Sequence, residues 1–118
     1  MQIKKNKPVR DPKYLKAISG YGCVICFQDA VAHHLIGYGG TMGGKVSDHL
    51  TLPLCNKHHS ATSEWGVHRD IDDWEGAHGY QTWMVTMTLE QAYEQEHISR
   101  ENFDIAYSQA RDLQTRFR

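Results

Sequence analysis

Cys23-Val24-Ile25-Cys26, Ala32-His33-His34-Leu35 and Leu52-Pro53-Leu54-Cys55-Asn56-Lys57-His58-His59 punctuate one stretch, residues 23–59, whose reading decides the fold. All three cysteines lie in it, with five of the eight histidines. An odd number of cysteines cannot pair off into disulfides. A Cys-x2-Cys with a third cysteine beside histidines reads instead as metal binding in a reducing compartment. Cys23, Cys26, Cys55 and His58 form a Cys-x2-Cys…Cys-x2-His set. Two thiolates from a tight turn and a second pair from a helix start suit a closed, tetrahedral structural zinc site. The alternative is three buried free cysteines and an unrelated histidine, and two paired spacings weigh against it.

The histidine pairs divide the stretch further. Neighbours on a strand point to opposite faces, so His33 and His34 cannot do the same job. One can bind a metal while the other stays free to act as a base. On a helix His58 and His59 stand about 100° apart. With His58 in the zinc site, His59 points elsewhere, across at His33. A lone histidine is usually a polar residue satisfied by hydrogen bonds. Two adjacent pairs bracketing a glycine loop are not so easily dismissed.

Outward from these residues, Asp11-Pro12 predicts a helix start, Asp as N-cap and Pro at the first helical position. That helix covers Lys13 to about Ser19, with Tyr14, Leu15 and Ile18 inward, and stops at Gly20. Residues 30–35 read as a strand. Residues 37–44 hold five glycines in eight positions and must form a loop ahead of Lys45. His49 to Leu54 is a second strand, antiparallel to the first if the loop reverses the chain. A helix is expected from about Cys55 through Trp65 to Gly66. Tyr80 to Met87 leans to helix, and Thr88 is read as the cap of a following one. Ser99 starts a last amphipathic helix with Phe103, Ala106, Tyr107 and Ala110 on one face. The fold class is α+β.

These residues resemble a known family. Cys-x2-Cys, then His-His at a strand end, then Pro-Leu-Cys-x2-His-His opening a helix resembles the HNH endonucleases of the ββα-metal (His-Me finger) class. The nearer resemblance is to the phage recombination-enhancement, RecA-dependent nucleases. It rests on Gly43-Gly44-Lys45, Asp48, Pro53 to His59, Val67-His68 and Trp74-Glu75…Gly79, and covers roughly residues 20–82. The resemblance implies a ββα-metal core with a structural zinc knuckle and flanking helices. It implies an endonuclease hydrolysing DNA phosphodiester bonds in phage or prophage recombination, in the cytoplasm of a bacterial host cell. His34 becomes the general base, a role suited to a side chain that titrates near neutral pH. His33, His59 and His68 become ligands of a catalytic divalent ion, magnesium or another, which would leave 5′-phosphate and 3′-hydroxyl ends. Many relatives use an Asn to orient the base. The second strand here has none, and Asp48 or His49 is the substitute.

The same resemblance implies DNA and a RecA filament as partners. Relatives acting on recombinase-coated DNA carry a long basic N-terminal region, of which this chain keeps only about sixteen residues, so structure-directed or non-specific nicking is the other expectation. Two rival functions stand beside these: a zinc-stabilised DNA-binding or recombination accessory module without turnover, and an HNH nuclease acting mainly on RNA.

The totals agree with one small domain. The chain has 118 residues and a net charge of −1, yet residues 1–16 hold Lys4, Lys5, Lys7, Arg10, Lys13 and Lys16 against Asp11 alone. A basic arm on an acidic body can dock on phosphates, and Lys4, Lys5, Lys7, Arg10 and Lys45 are the candidate DNA contacts. The organisation expected is a flexible basic arm, 1–10, and a single nuclease domain with C-terminal helices, 11–118. A structural metal offsets the small core that such a length can bury. No stretch is long enough to span a membrane, and no apolar run follows the basic N-terminus as a secretory signal would require. Oligomeric state is left open.

Gly39-x4-Gly44-Lys45 nearly fits a phosphate-binding P-loop, but Val46 stands where Ser or Thr must hold magnesium, so that reading is rejected. Trp65, Trp74 and Trp83 are read as core, the run Asp70 to Glu75 as a solvated face, and His78 and His97 as surface residues.

Overall fold

The computed structural model describes residues 8–38 and 46–118. Helix α1 (Pro12–Ser19) is followed by strand β1 (Val31–His34), strand β2 (Thr51–Leu54) and the single-turn helix α2 (Asn56–His59). Helices α3 (Ile71–His78), α4 (Gln81–Glu94) and α5 (Arg100–Phe117) complete the chain. Among the described residues the fold is α+β with one small two-stranded sheet. No helix among the described residues is long and apolar enough to cross a membrane.

Local chemistry explains most boundaries. Asp11 caps α1, its carboxylate accepting from Tyr14 N, with Pro12 at the first helical position. Tyr14 and Ile18 are buried and Leu15 half-buried. The strands are antiparallel, Ala32 opposite Pro53 and His33 opposite Leu52. Proline is tolerated there because a two-stranded sheet has only edges. Helix α1 covers both strands and α4 packs across β2 and along α5, so Leu35, Leu52, Leu54, Val85 and Leu89 share one core. Ser99 caps α5 through Asn102 N, and the face of Phe103, Ala106, Tyr107 and Ala110 turns inward.

Several expectations need correction. The helix at Cys55 does not reach Trp65; it ends at His59. Ser60 and Ser63 turn their hydroxyls onto the backbone amides of Thr62 and Trp65, a local alternative that competes with helix. The second strand begins at Thr51 rather than His49. Thr88 does not cap a new helix. It is buried inside a continuous α4, and its hydroxyl donates to Met84 O one turn back. Trp74 is core, but Trp65 and Trp83 are each 53% exposed.

The run Asp70 to Glu75 is only partly a solvated face. Asp70 caps α3 through Asp73 N, and Glu75 is buried. His97 is exposed, whereas His78 is half-buried against the rings of Trp74 and His58. The arm is not free throughout: Val9 O accepts from Asp48 N at 2.9 Å, and Arg10 is ion-paired to the same residue. Residues 1–7, with Lys4, Lys5 and Lys7, lie outside the described residues, as do the glycines from Gly39 to Gly44 and Lys45.

Candidate functional site

Four ligand atoms converge where the turn after α1 meets the start of α2. Cys26 Sγ lies 3.6 Å from Cys55 Sγ, and His58 Nδ1 lies 3.2 Å from Cys55 Sγ and 3.7 Å from Cys23 Sγ. With bonds of about 2.3 Å to sulfur and 2.0–2.1 Å to nitrogen, a tetrahedral zinc ion separates its ligands by roughly 3.5–3.8 Å. The donors therefore fit zinc. Cys23 and Cys26 come from one turn, and Cys55 occupies the N-cap position of α2 without a side-chain capping bond. Burial would raise the Cys23 thiol, but backbone N–H groups around its sulfur outweigh this and lower it, favouring the thiolate a metal needs. Burial, then His78 and Lys57, lower the His58 imidazolium, which keeps the ring neutral. These four residues form an arrangement that can bind zinc.

A second cluster adjoins the first at α2, where His59 follows His58, and draws its other members from β1 and from the segment after α2. His33, His59 and His68 present ring nitrogens that all lie within 4.8 Å of one another. His59 Nε2 and His68 Nε2 are 3.2 Å apart, and the His33 ring stands edge-on to both at centroid distances of 5.0 and 5.1 Å. Two nitrogens sharing an ion at about 2.1 Å would stand roughly 3.0–3.4 Å apart, so this spacing also fits a metal. The helical phase places His58 at the sulfurs and His59 at the other trio. His68 arrives because the chain after α2 doubles back, Val67 N donating to His58 O and His68 N to His59 O. Gly66 permits the return: a Cβ there would sit 1.8 Å from Ser60 O. Burial is the main influence on His33 and pushes its pKa down to about 3, so the ring is neutral at neutral pH, the form a metal ligand needs. Burial, and then His68, also lower His59.

His34 faces the other side of β1. Its Nε2–H donates to Asp48 Oδ1 at 2.8 Å, which leaves the lone pair on Nδ1 of a half-exposed ring. The Asp48 carboxylate is buried and also accepts from Arg10 at 3.0 Å and from Asp11 N at 2.7 Å. Burial alone would raise its pKa, but His34, the Asp11 amide and Arg10 together prevail and hold it below the usual carboxylate range. Of the two substitutes for the missing Asn, Asp48 is the one at His34. His49 is buried and donates to Asp11 Oδ2 instead. Arg10, expected at DNA, is engaged with Asp48 and Val46 O, with its side chain half-exposed.

Behind His33 lies a network that sequence reading missed. His33 Nε2 meets Gln81 Oε1 at 2.9 Å. Gln81 Nε2 donates to Ile36 O and to Glu75 Oε2, and Gln81 N donates to the same carboxylate oxygen at 2.9 Å. Glu75 also accepts from Tyr38 Oη at 2.6 Å and from Arg118 Nε at 3.0 Å. Burial and then Glu75 raise the Tyr38 hydroxyl, which stays a donor. From α3, the Glu75 carboxylate reaches the start of α4, where an anion suits both the free amide and the helix dipole. A Glu six residues before a helix-opening Gln carries no periodic signal. Gly79 closing α3 just before it, at φ 107°, was the available cue.

Fold and site define a small α+β protein with two candidate metal-binding clusters that meet at α2, through His58 and His59. The chain belongs to the protein family of unknown function DUF968, whose model matches residues 1–95. Over 94 residues it is 33% identical to the uncharacterized protein YdfU of Escherichia coli (strain K12). That match takes in 78% of this chain and 26% of YdfU, so the chain spans about a quarter of the relative's length. No solved structure matches.

Proposed function

We propose that the chain is an HNH-type, metal-dependent endonuclease that hydrolyses DNA phosphodiester bonds, with β1, β2 and α2 as its ββα-metal core. The observation that carries this reading is the division of labour across His33-His34. His33 joins His59 and His68, while His34 is held through Nε2 by a buried carboxylate. In this reading Cys23, Cys26, Cys55 and His58 hold a structural zinc ion, and His33, His59 and His68 hold a catalytic divalent ion such as magnesium or manganese.

That ion, when bound, supplies positive charge for the phosphoryl and leaving oxygens. The chain's own residues do the proton work. His34 Nδ1 takes a proton from water as the water oxygen bonds to phosphorus and the P–O3′ bond breaks, the 3′ oxygen leaving as an oxyanion that takes its proton from solvent water. Asp48 fixes the ring and stabilises the imidazolium that forms, as a buried carboxylate does in other base–carboxylate pairs. Arg10 and the Asp11 amide keep Asp48 from taking the proton itself. The products are 5′-phosphate and 3′-hydroxyl ends. Arg10, with Lys4, Lys5, Lys7 and Lys45, supplies charge for the DNA backbone, and the setting is phage or prophage recombination in a bacterial host, with a RecA filament as partner.

The test is supercoiled plasmid with magnesium or manganese, with and without RecA and ATP, beside a structured RNA. Nicking of the plasmid supports the reading, and nicking that needs the filament adds the RecA partner. Cleavage of RNA alone shifts the substrate. No cleavage of either, by zinc-loaded and folded protein, leaves a zinc-stabilised DNA-binding module.

A further inference from the structure

We infer that Gln81 is the positioning residue of His33, fixing its tautomer so that Nε2 carries the proton and Nδ1 keeps the lone pair for a metal ion. This rests on reading His33, His59 and His68 as a metal-binding trio.

The inference follows from hydrogen-bond accounting. A side-chain amide can face its neighbours in two ways, and the surroundings select one. Gln81 is fully buried, with Ile36 O 3.0 Å and Glu75 Oε2 3.3 Å from its nitrogen and Ile36 N 3.3 Å from its oxygen. Turned over, the amide would set its oxygen against a carbonyl and a carboxylate, and its NH2 against the Ile36 N–H. The oxygen is therefore committed to the side where His33 Nε2 stands at 2.9 Å, and only Nε2–H can meet it. His33 then has one lone pair left, on Nδ1. Metal-binding histidines generally hold their second nitrogen against an acceptor in this way, which sets ring orientation and raises ligand basicity.

The anchor of the amide is Glu75, and its own anchor is remote. Arg118, just past the end of α5, donates to Glu75 Oε1 at 3.0 Å and to Gly37 O at 3.0 Å, with its guanidinium 4.4 Å from the centre of the Tyr38 ring. A run of contacts thus leads from the last helix through Glu75 and Gln81 to His33. Gln81 touches no reacting group; it acts through His33.

Two measurements test this. In zinc-loaded protein without other metal, long-range 1H–15N spectra of the imidazoles should show His33 as the Nε2–H tautomer. The Nδ1–H tautomer, or fast exchange between both, would overturn the inference, and this readout needs neither a variant nor activity. Second, Mn2+ binding followed by the electron paramagnetic resonance of free Mn2+ should weaken about 10- to 100-fold in Gln81→Met while zinc content stays the same. Equal affinity in Gln81→Met would also overturn it. Should Gln81→Met not fold, Arg118→Ala, which leaves the amide in place but frees its anchor, is expected to show a smaller loss and a mixed tautomer, and an unchanged spectrum in that variant would remove the remote anchor from the chain of contacts. If the wild type binds no Mn2+ at all, the trio reading fails, and the tautomer spectrum alone still decides whether Gln81 positions His33.

Discussion

His59 Nε2 and His68 Nε2 lie 3.2 Å apart although nine residues separate them, and the space between the two chain segments depends on Gly66. Gly66→Ala puts a methyl group into the Ser60 carbonyl, so the return segment must move and carry His68 with it. The expected result is at least a tenfold loss of Mn2+ affinity with the Cys23 site still zinc-loaded, checked by metal titration and elemental analysis. Stability should fall by about 1–3 kcal/mol, the range for forced overpacking.

The cysteine site should carry a large share of stability, since binding free energy at a structural metal is folding free energy. Cys26→Ala is expected to lose its zinc and more than about 3 kcal/mol of unfolding free energy in urea. Chelation of zinc from the wild type should reproduce that loss, and one zinc per chain should be released.

Asp48 links acid stability to His34. Its folded-state pKa lies below the ordinary 3.8, so its contribution is complete above that value and is lost as pH falls through the lower, folded one. Urea unfolding of wild type between pH 6 and pH 2.5 should show stability declining in that acid window. Asp48→Asn should be less stable at neutral pH and flatter across the window.

Phe27 sits in the turn of the cysteine site at φ 65° and is 82% exposed. A left-handed backbone costs a side-chain-bearing residue about 1–2 kcal/mol, which glycine avoids at some cost in unfolded-chain entropy. Phe27→Gly should therefore be neutral or stabilising by about 1 kcal/mol, with zinc retained, as thermal unfolding would show.

The split of the histidine pairs between two faces was legible because strand alternation and helical phase are rigid rules. Between them they separate His33 from His34 and His58 from His59 before any coordinates exist. Asp11-Pro12 and Ser99 were legible as helix starts for an equally local reason, side chains capping nearby amides. What sequence could not supply depended on packing at long range. The early end of α2 follows from hydroxyl–backbone bonds and the approach of Gly66 to Ser60, and the single α4 follows from burial of Thr88, which removes its reason to cap. Glu75 looked like one of several surface acids, because its partners Tyr38 and Arg118 are 37 and 43 residues away. The ion pair of Arg10 with Asp48 across 38 residues has no local signature.

The assignment of His34 as base, apart from the metal ligands, is the central claim. Its most direct measurement is the nicking rate of supercoiled DNA by His34→Ala, taken at saturating Mn2+ with Mn2+ affinity measured on the same protein. The expected result is a rate about 10²- to 10⁴-fold below wild type, with affinity for the metal unchanged. A variant that nicks at the wild-type rate, or one that loses Mn2+ binding along with activity, would contradict it.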